Sequence, residues 1–455
     1  MVEQKSDKQR VGLVTDKQGD AMKSGILTCI TAMALFATLV IPVGLVAQQQ
    51  QVATFTVLYA FPVSTDGAGP VVSFGDNAGN LYGAASRGGP LICFNHQCFP
   101  ACQGLGCGVI FKLDMAGNET VLHDFTGADG RYPSVLLRDT AGDLYGTTFL
   151  GGSTGCGGNG CGVIFKLDTT GKETILHNFG ASAGGWFPSG TLLRDSAGNF
   201  YGTTVEGGDL ACHDGGGTGC GVVFKLNTAG KETVLHTFSG ADGAVPTAGL
   251  VADNLGNLYG TTVAGGDLTC PSGDPALVGC GVVFKLDSTG RETVLHRFTG
   301  SVGGGYPVSL LRDTAGNLYG MTHSGGSTVC PGGCGLVFKL TTTGTETVLH
   351  RFIGVDGRAP FGGLLRDAAG NLYGTTSFGG QACSKAPAGC GVVFKLDAKG
   401  KETVIHRLTG GADGWYPVAG LFQDAAGNVY GTTSYGGRLT CSNGTGCGVI
   451  FKLIP

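Results

Sequence analysis

Histidine is the residue of this chain best suited to proton transfer or metal binding, and its placement is regular. Six of the nine histidines occupy one position of a recurring segment, Glu-Thr-Val-Leu-His-x-Phe or a close variant. They are His123, His177, His236, His296, His350 and His406, and Tyr59 fills the same position in the seventh copy. Because side chains alternate along a β-strand, each histidine shares a face with valine and phenylalanine. We therefore expect these histidines to pack between neighbouring repeats as structural residues rather than catalytic ones.

Cysteine is the second candidate for chemistry, with 17 copies in the chain. Cys29 lies in an N-terminal apolar run, and the other sixteen lie in the repeats. Six repeats carry one pair each: Cys156/Cys161, Cys212/Cys220, Cys270/Cys280, Cys330/Cys334, Cys383/Cys390 and Cys441/Cys447. The first repeat has four, Cys93, Cys98, Cys102 and Cys107, which allow three pairings. A zinc site needs four ligands at narrow spacings, whereas one pair of variable spacing per repeat indicates disulfides and an oxidising compartment.

Aromatic residues recur in the segment that connects one repeat to the next. They are Tyr132, Trp186, Phe187, Tyr306, Trp415 and Tyr416. Rings exposed there would stack on sugars or anchor a protein partner, so these six are the ligand-binding candidates. The alternative is that each aromatic–proline pair only closes the end of its repeat.

Four arginines, Arg138, Arg194, Arg312 and Arg366, end the first strand of their repeats. In a ring of repeats they would form an incomplete circle of guanidinium groups, which could hold an anion. The alternative is that they are exposed side chains beside a turn.

Motifs of known reaction classes are missing from the sequence. It contains no His-Glu-x-x-His and no phosphate-binding Walker loop. We therefore expect no catalytic residues, no metal and no cofactor. Charged residues make up only 14% of the chain, with a net charge of −4 and no basic run, which argues against nucleic acid as a partner.

The elements that must position these residues are four short strands in each repeat. The segment Cys-Gly-Val-Ile-Phe-Lys-Leu, or a close variant, occurs seven times, and so does a turn of the form Asp-x-x-Gly-Asn/Asp-x-Tyr-Gly. Such a turn needs a left-handed glycine and joins two strands of a hairpin. Successive copies are 54 to 60 residues apart. A repeat of this length that is built only from hairpins is typical of a propeller blade.

The two ends of the repeat region are complementary. The segment from Thr54 to Phe61 aligns with a fourth strand, and the chain ends at Phe451–Pro455 in a third strand. The sequence therefore predicts an all-β fold, a seven-bladed β-propeller closed by pairing of the N-terminal strand with the C-terminal strand. If Asp114 to Gly117 form a four-residue loop, Lys112 faces Glu119, and every blade but the last has a cross-strand ion pair.

Two regions are expected along the chain. Residues 1–47 combine a polar, lysine-containing n-region with an apolar run that ends at Ala47, which is typical of a signal peptide, and Met22 is an alternative start. An uncleaved membrane anchor is the alternative, and it is the only case in which a membrane would be a partner. Residues 48–455 form the seven-repeat propeller.

The order of the Leu-Tyr-Gly-Thr-Thr, Gly-Cys-Gly-Val-x-Phe-Lys-Leu and Glu-Thr-Val-Leu-His-x-Phe blocks resembles the tandem repeat of the GloVer-type bacterial surface proteins of the choice-of-anchor family. The resemblance covers about residues 54–455. It implies an exported repeat protein without an assigned activity. The Asp-x-x-Gly-Asn-x-Tyr turn also resembles NHL-like propeller repeats, at the level of the fold only.

These observations predict an exported, disulfide-stapled propeller that is secreted, periplasmic or at the cell surface. We expect it to serve as a binding or structural module that recognises a glycan or a surface protein. The alternative is a hydrolase or lyase that acts on extracellular polysaccharide.

Overall fold

Each repeat forms one antiparallel sheet in the computed structural model of the protein. The structure describes residues 53–62, 66–88, 106–153, 155–180, 184–212, 219–270, 278–383, 385–441 and 444–455, and only the backbone of Leu91–Phe94 and Gln97–Pro100. The predicted signal peptide lies outside these residues. Among the described residues no helix has the length and apolar character needed to cross a membrane.

Seven sheets follow one another along the chain, and this confirms the predicted seven-bladed β-propeller. The strands are given from the first to the fourth position of each blade. Blade 1 comprises Ala68–Gly75, Leu81–Arg87, Val109–Leu113 and Glu119–Asp124; blade 2, Arg131–Pro133 with Leu137–Arg138, Leu144–Leu150, Val163–Leu167 and Glu173–Asn178; blade 3, Trp186–Arg194, Phe200–Glu206, Val222–Leu226 and Glu232–Thr237; blade 4, Val251–Ala252, Leu258–Thr262, Val282–Leu286 and Glu292–Arg297; blade 5, Gly305–Arg312, Leu318–Ser324, Leu336–Leu340 and Glu346–Arg351; blade 6, Arg358–Pro360 with Leu365–Arg366, Leu372–Phe378, Val392–Leu396 and Glu402–Arg407; blade 7, Phe422–Gln423, Val429–Thr433, Val449–Ile454 and Thr54–Ala60. Two short 3-10 turns, Cys156–Gly158 and Ser301–Gly303, lie in connections.

The ring closes through its two terminal strands, as the sequence predicted. Thr54–Ala60 pairs antiparallel with Val449–Ile454, with Thr54 opposite Ile454 and Val57 opposite Phe451. The pairing satisfies backbone groups that an open sheet edge would leave exposed.

Aromatic rings hold neighbouring blades together. The phenylalanine of each third strand is at most 1% exposed, and in six blades it meets the phenylalanine that directly follows the fourth strand of the preceding blade. Phe284, for example, packs edge-on against Phe238 with ring centroids 5.2 Å apart. The glycine of the Tyr-Gly pair makes room for this ring, because a Cβ at Gly260 would lie 2.5 Å from Phe284 Cζ. Such pairs contribute about 0.5–1.5 kcal/mol each beyond the burial of their area.

The predicted Lys–Glu ion pairs are wrong. In blade 3 the turn after Leu226 spans five residues, because Asn227 N–H donates to the Lys231 carbonyl. The register then places Leu226 opposite Glu232, and Lys225 opposite a threonine. The ammonium group of Lys225 instead lies 5.5 Å from the centre of the Tyr201 ring.

Six disulfides join the cysteine pairs predicted from the sequence: Cys156–Cys161, Cys212–Cys220, Cys270–Cys280, Cys330–Cys334, Cys383–Cys390 and Cys441–Cys447. Each closes the loop between the second and third strands of its blade. In the first repeat Cys107 is disulfide-bonded, and the other three cysteines lie outside the residues whose side chains are described. These crosslinks are typical of proteins that fold in an oxidising compartment.

Candidate functional site

The propeller has two ends with different chemistry. One end, the turn face, carries the Asp-x-x-Gly turns between strands one and two and between strands three and four. The other end, the loop face, carries the cysteine loops and the connections from one blade to the next. The six aromatic ligand-binding candidates all lie in the connections on the loop face.

Each connection on the loop face is fixed to the preceding blade by one backbone hydrogen bond. The residue before the proline at the start of each blade donates its N–H to the carbonyl of the cysteine two residues before the third strand of the preceding blade. The seven N–H···O pairs, 2.8–3.2 Å long, are Gly69–Cys447, Tyr132–Cys107, Phe187–Cys161, Val245–Cys220, Tyr306–Cys280, Ala359–Cys334 and Tyr416–Cys390. The bond between Gly69 and Cys447 spans the closure of the ring.

The donor residues in these bonds have an unusual backbone conformation. All seven have a positive φ, from 53° at Ala359 to 65° at Gly69. This region is disfavoured for residues with a Cβ, and a following proline normally favours extended backbone. Such strain, about 1–3 kcal/mol per residue, persists only where the surrounding structure enforces it. The disulfide-linked loops therefore hold Tyr132, Phe187, Tyr306 and Tyr416 in fixed positions.

The six candidates differ in exposure. Trp186 and Tyr306 are buried, with 6% and 8% exposed. Tyr132, Phe187, Trp415 and Tyr416 are half-buried. Phe187 stacks on Phe149 of the preceding blade with ring centroids 5.0 Å apart, and Phe149 is 36% exposed.

The candidates of blade 7 belong to a larger group of rings, which we call the aromatic patch: Phe378, Trp415, Tyr416 and Tyr435. Trp415 stacks on Tyr435 at 4.7 Å between centroids with an interplanar angle of 27°. Tyr416 contacts both Tyr435, at 5.9 Å, and Phe378, at 5.2 Å. The guanidinium carbon of Arg87 lies 5.5 Å from the centre of the Tyr435 ring. Burial raises the pKa of the Tyr416 hydroxyl, so it stays protonated at neutral pH.

The two tryptophans of the chain occupy the same repeat position and have different surroundings. In blade 3, Trp186 Nε1 donates to Glu206 Oε2 at 3.0 Å. In blade 7, Tyr435 stands where Glu206 stands in blade 3, and Trp415 Nε1 is buried without a hydrogen-bond partner. An unpaired buried donor costs about 1–3 kcal/mol. Trp415 Nε1 and Tyr306 Oη are therefore the two buried polar atoms of the candidates that lack a partner among the described residues, and of these two only Trp415 lies in the aromatic patch.

Sequence reasoning missed Phe378, Tyr435 and Arg87. Arg87 and Phe378 end the second strand of their blades, and Tyr435 follows the second strand of blade 7 at the equivalent repeat position, two residues after the Gly-x-Thr or equivalent segment. That position varies from blade to blade, and this departure from the repeat is the signal that could have found them.

The four arginine candidates lie at the turn face. Three of them cover a tyrosine of the preceding blade: Arg138 over Tyr82, Arg312 over Tyr259 and Arg366 over Tyr319, at 5.4–5.8 Å. The fourth, Arg194, lies over Tyr145 and 3.6 Å from Asp139 Oδ2. Each guanidinium thus contacts a ring of the neighbouring blade.

The six histidines lie on the outermost strands, at the junctions between blades. Each packs against an aromatic ring: five lie edge-on to the phenylalanine two residues later, as His123 does to Phe125 at 4.7 Å, and His406 stacks on Phe55. His123 Nε2 lies 3.2 Å from Asp129 Oδ2 and 4.0 Å from Glu173 Oε2 of the next blade. Burial raises the pKa of Glu173 to about 7. Burial alone would also raise the pKa of Asp129, but hydrogen bonds from His123 and Thr126 outweigh it and hold that pKa below its usual value.

Comparison with known proteins gives one family and a shared fold. The sequence profile of the Gloeobacter/Verrucomicrobia repeat matches residues 44–273, 103–329 and 327–455. No curated protein sequence matches the chain significantly.

Solved structures with a similar fold include virginiamycin B lyase from Staphylococcus aureus, at 13% identity and a TM-score of 0.55, with 89% of this chain and 99% of that chain covered. A gluconolactonase from Xanthomonas campestris is 14% identical over 69% of this chain and 82% of its own, with a TM-score of 0.37. A luciferin-regenerating enzyme is 13% identical over 71% of this chain and 91% of its own, with a TM-score of 0.42. At these identities only the propeller fold is shared with the lyase, and fold does not imply function.

Proposed function

The chain belongs to the Gloeobacter/Verrucomicrobia repeat family, and we propose that its propeller is an extracellular binding module that holds a carbohydrate on the loop face. The six disulfides support a place outside the cytoplasm. The observation that carries the carbohydrate proposal is the unpaired indole N–H of Trp415 within the aromatic patch.

The composition of the patch suits a sugar. Ring faces stack on the C–H faces of a pyranose, while the indole N–H and the guanidinium group of Arg87 donate hydrogen bonds and accept none. A sugar hydroxyl would satisfy Trp415 Nε1 once the indole turns slightly toward the ligand.

The backbone around the patch supports tight recognition. Tyr416 is held at φ 60° by its hydrogen bond to the Cys390 carbonyl, and Cys390 is itself fixed by the disulfide to Cys383. Rings that are positioned before the ligand arrives lose little conformational entropy on binding, and this raises affinity.

The test is a glycan-array screen of the purified, oxidised protein, followed by fluorescence titration with the sugars that bind. The variant Trp186→Phe leaves Trp415 as the sole tryptophan, so its emission reports on the patch. We expect a bound sugar to shift or quench this emission. Trp415→Phe, which keeps an aromatic ring in the stack but removes the N–H and part of the ring surface, should weaken binding about threefold to tenfold.

Trp186→Phe is the matched control, because Trp186 occupies the same repeat position but already donates to Glu206. It should leave sugar affinity unchanged. Array binding that survives both Trp415→Phe and Tyr435→Ala would place the sugar elsewhere. No array binding and an unchanged Trp415 emission would refute the carbohydrate proposal and favour a protein partner.

The enzyme alternative requires carboxylates or a metal at the loop face. Among the described residues, the groups that come close enough to hold a metal combine a histidine and a glutamate of the outermost strands with an aspartate of the connection to the next blade. Incubation of any bound glycan with the protein separates the two functions, because shortened or unsaturated products would show a hydrolase or a lyase.

A further inference from the structure

Two blade junctions bring a histidine and two carboxylates together from distant parts of the chain. At the junction of blades 1 and 2 the three atoms are His123 Nε2, Asp129 Oδ2 and Glu173 Oε2, and all lie within 4.8 Å of one another. At the junction of blades 5 and 6 the residues are His350, Asp356 and Glu402, and their ligand atoms also lie within 4.8 Å of one another. These positions recur in the repeat, so the geometry is built into the fold.

At each of these junctions one imidazole faces two carboxylates. One imidazole N–H can donate to only one carboxylate, and in both junctions the aspartate lies nearest, at 3.2 and 3.0 Å. The glutamate Oε1 is buried without a hydrogen-bond partner at Glu173 and at Glu402, as it is in the other blades that carry this glutamate. A buried carboxylate without a donor is costly, and a cation bound by the carboxylate would reduce that cost.

The aspartate and the histidine are held in place by a second layer of contacts. Asp129 Oδ1 accepts hydrogen bonds from Thr126 N at 2.8 Å and Thr126 Oγ1 at 2.9 Å, which leaves Oδ2 directed at the histidine. The His123 ring is fixed edge-on against Phe125. Outer contacts of this kind orient metal ligands in known sites.

We propose that the junctions of blades 1 and 2 and of blades 5 and 6 each bind a divalent transition-metal ion, such as Zn²⁺ or Mn²⁺, through one imidazole nitrogen and two carboxylate oxygens. Imidazole together with carboxylates is a donor set that suits these ions. Ligand atoms about 2.1 Å from a tetrahedral ion lie about 3.4 Å apart, so Glu173 Oε2, now 4.0 Å from His123 Nε2, needs to move by only about half an ångström. The side chains of His123, Asp129 and Glu173 are 16%, 19% and 12% exposed, which leaves room for water as a further ligand. The bound ion joins the outer strands of neighbouring blades.

The repeat supplies its own comparisons. The junction of blades 3 and 4 carries the same three residue types, His236, Asp242 and Glu292. The junction of blades 2 and 3 has His177 and Glu232, 3.3 Å apart, but no aspartate in the segment between Phe179 and Pro188. The junction of blades 6 and 7 has His406 and Asp413, 3.1 Å apart. There the glutamate position is taken by Phe55, which stacks on His406 with ring centroids 3.7 Å apart.

The test is a calorimetric titration of the purified protein with Zn²⁺ alone and with Mn²⁺ alone, after dialysis against a chelator, with melting curves at each metal concentration. We expect at least two ions per chain and a melting temperature that rises with metal concentration. The triple variant Asp129→Asn, Asp242→Asn, Asp356→Asn should lose these ions and the rise in melting temperature. Near-ultraviolet circular dichroism of the metal-free variant checks that it is folded.

Two further variants sharpen the result. Glu232→Gln, at the junction of blades 2 and 3, which lacks an aspartate, should leave the number of bound ions unchanged. Phe55→Glu, which introduces the residue found in the other six blades, should add one ion at the junction of blades 6 and 7. No binding of either metal at millimolar concentration would overturn the proposal. An ion count that is the same in the native protein and the triple variant would also overturn it.

Discussion

Replacing the aspartate at the start of the turn between the first and second strands by asparagine should destabilise the protein. The aspartate at the start of the turn between the third and fourth strands should tolerate the same replacement. In blade 4, Asp253 Oδ1 accepts from Leu255 N and Asn257 N, and Asp253 Oδ2 accepts from Asn257 Nδ2 at 2.7 Å and Tyr259 Oη at 3.0 Å. In Asp253→Asn the amide keeps the two backbone bonds but presents an NH₂ group to the Asn257 donor. We expect two charge-assisted bonds to be lost.

The magnitude follows from those two bonds. Hydrogen bonds to charged groups contribute about 1.5–3 kcal/mol each when buried. Asp253 is only partly buried, so about 1 kcal/mol for each bond, or about 2 kcal/mol in total, is the appropriate figure. The control is Asp287→Asn in the second turn of the same blade. There all the bonds converge on Oδ1, from Thr289 N, Thr289 Oγ1 and Arg291 N, and the equivalent residue in blade 3 is already Asn227.

The assay is guanidinium unfolding of oxidised protein at several pH values. Burial opposes the charged form of Asp253, but hydrogen bonds from Asn257 and Tyr259 outweigh it and hold the pKa below the usual 3.8. A lowered pKa stabilises the folded state above the ordinary value, and that contribution is lost as pH falls through the folded pKa. The difference between the native protein and Asp253→Asn should therefore be full at pH 7 and shrink below about pH 4. Equal stabilities of Asp253→Asn and Asp287→Asn at pH 7 would refute the reasoning.

Three other predictions concern the core, the crosslinks and a buried carboxyl. Phe284→Ala should destabilise the protein by about 3–5 kcal/mol in the same unfolding assay, because the ring is fully buried between two blades; a loss below 1 kcal/mol would contradict the packing. Replacing Cys270 and Cys280 by serine should cost more than replacing Cys330 and Cys334, since their loop spans 10 residues rather than 4, with both losses about 2–3 kcal/mol in the entropic account; melting temperatures of the two double variants decide the order. Burial, then the charges of Asp66 and Asp124, raise the pKa of Glu119 to about 7. A raised pKa contributes stability below the ordinary value of 4.5, and this is lost as pH rises through 7, so Glu119→Gln should raise the melting temperature relative to the native protein at pH 8 and not at pH 5.

The blade architecture could be predicted because each determinant lies within about 15 consecutive residues. The Asp-x-x-Gly turn, the alternating apolar strands and the cysteine pair are local patterns, and their sevenfold recurrence makes each one visible. The complementary ends, Thr54–Ala60 and Val449–Ile454, were likewise readable as parts of one incomplete repeat.

The pairing register of the two strands within a hairpin was less predictable. The sequence Asp-Met-Ala-Gly-Asn after Leu113 fits a turn of four or five residues. The five-residue turn prevails because Asp114 Oδ1 also accepts from Asn118 N, as well as from Ala116 N. That one extra residue shifts the register, so that Lys112 lies opposite Thr120 and Leu113 lies opposite Glu119.

The candidate sites depend on contacts that no local pattern contains. Trp186 and Trp415 are equivalent in the repeat, and they differ because the paired second strand supplies Glu206 to one and Tyr435 to the other. The histidine clusters join residues from two blades, so His123 and Glu173 meet although 50 residues separate them. Sequence spacing alone predicts that the histidines pack between blades, but it does not predict their contacts with carboxylates of the next blade.

A departure from the repeat has one consequence on the loop face of a blade and another at its outer edge. Residues that are the same in all blades, such as the third-strand phenylalanines, contribute to the stability of every junction and cannot distinguish one blade from another. On the loop face, variation concentrates at the ends of the first and second strands, where side chains do not support the core and are free to specify a ligand. At the outer edge the pattern is the reverse, because the proposed metal site depends on the common histidine and glutamate and should be lost where Phe55 or a missing aspartate breaks the repeat. The carbohydrate proposal and the metal proposal therefore rest on separate residues, and Trp415→Phe and Asp129→Asn should each affect one property without the other.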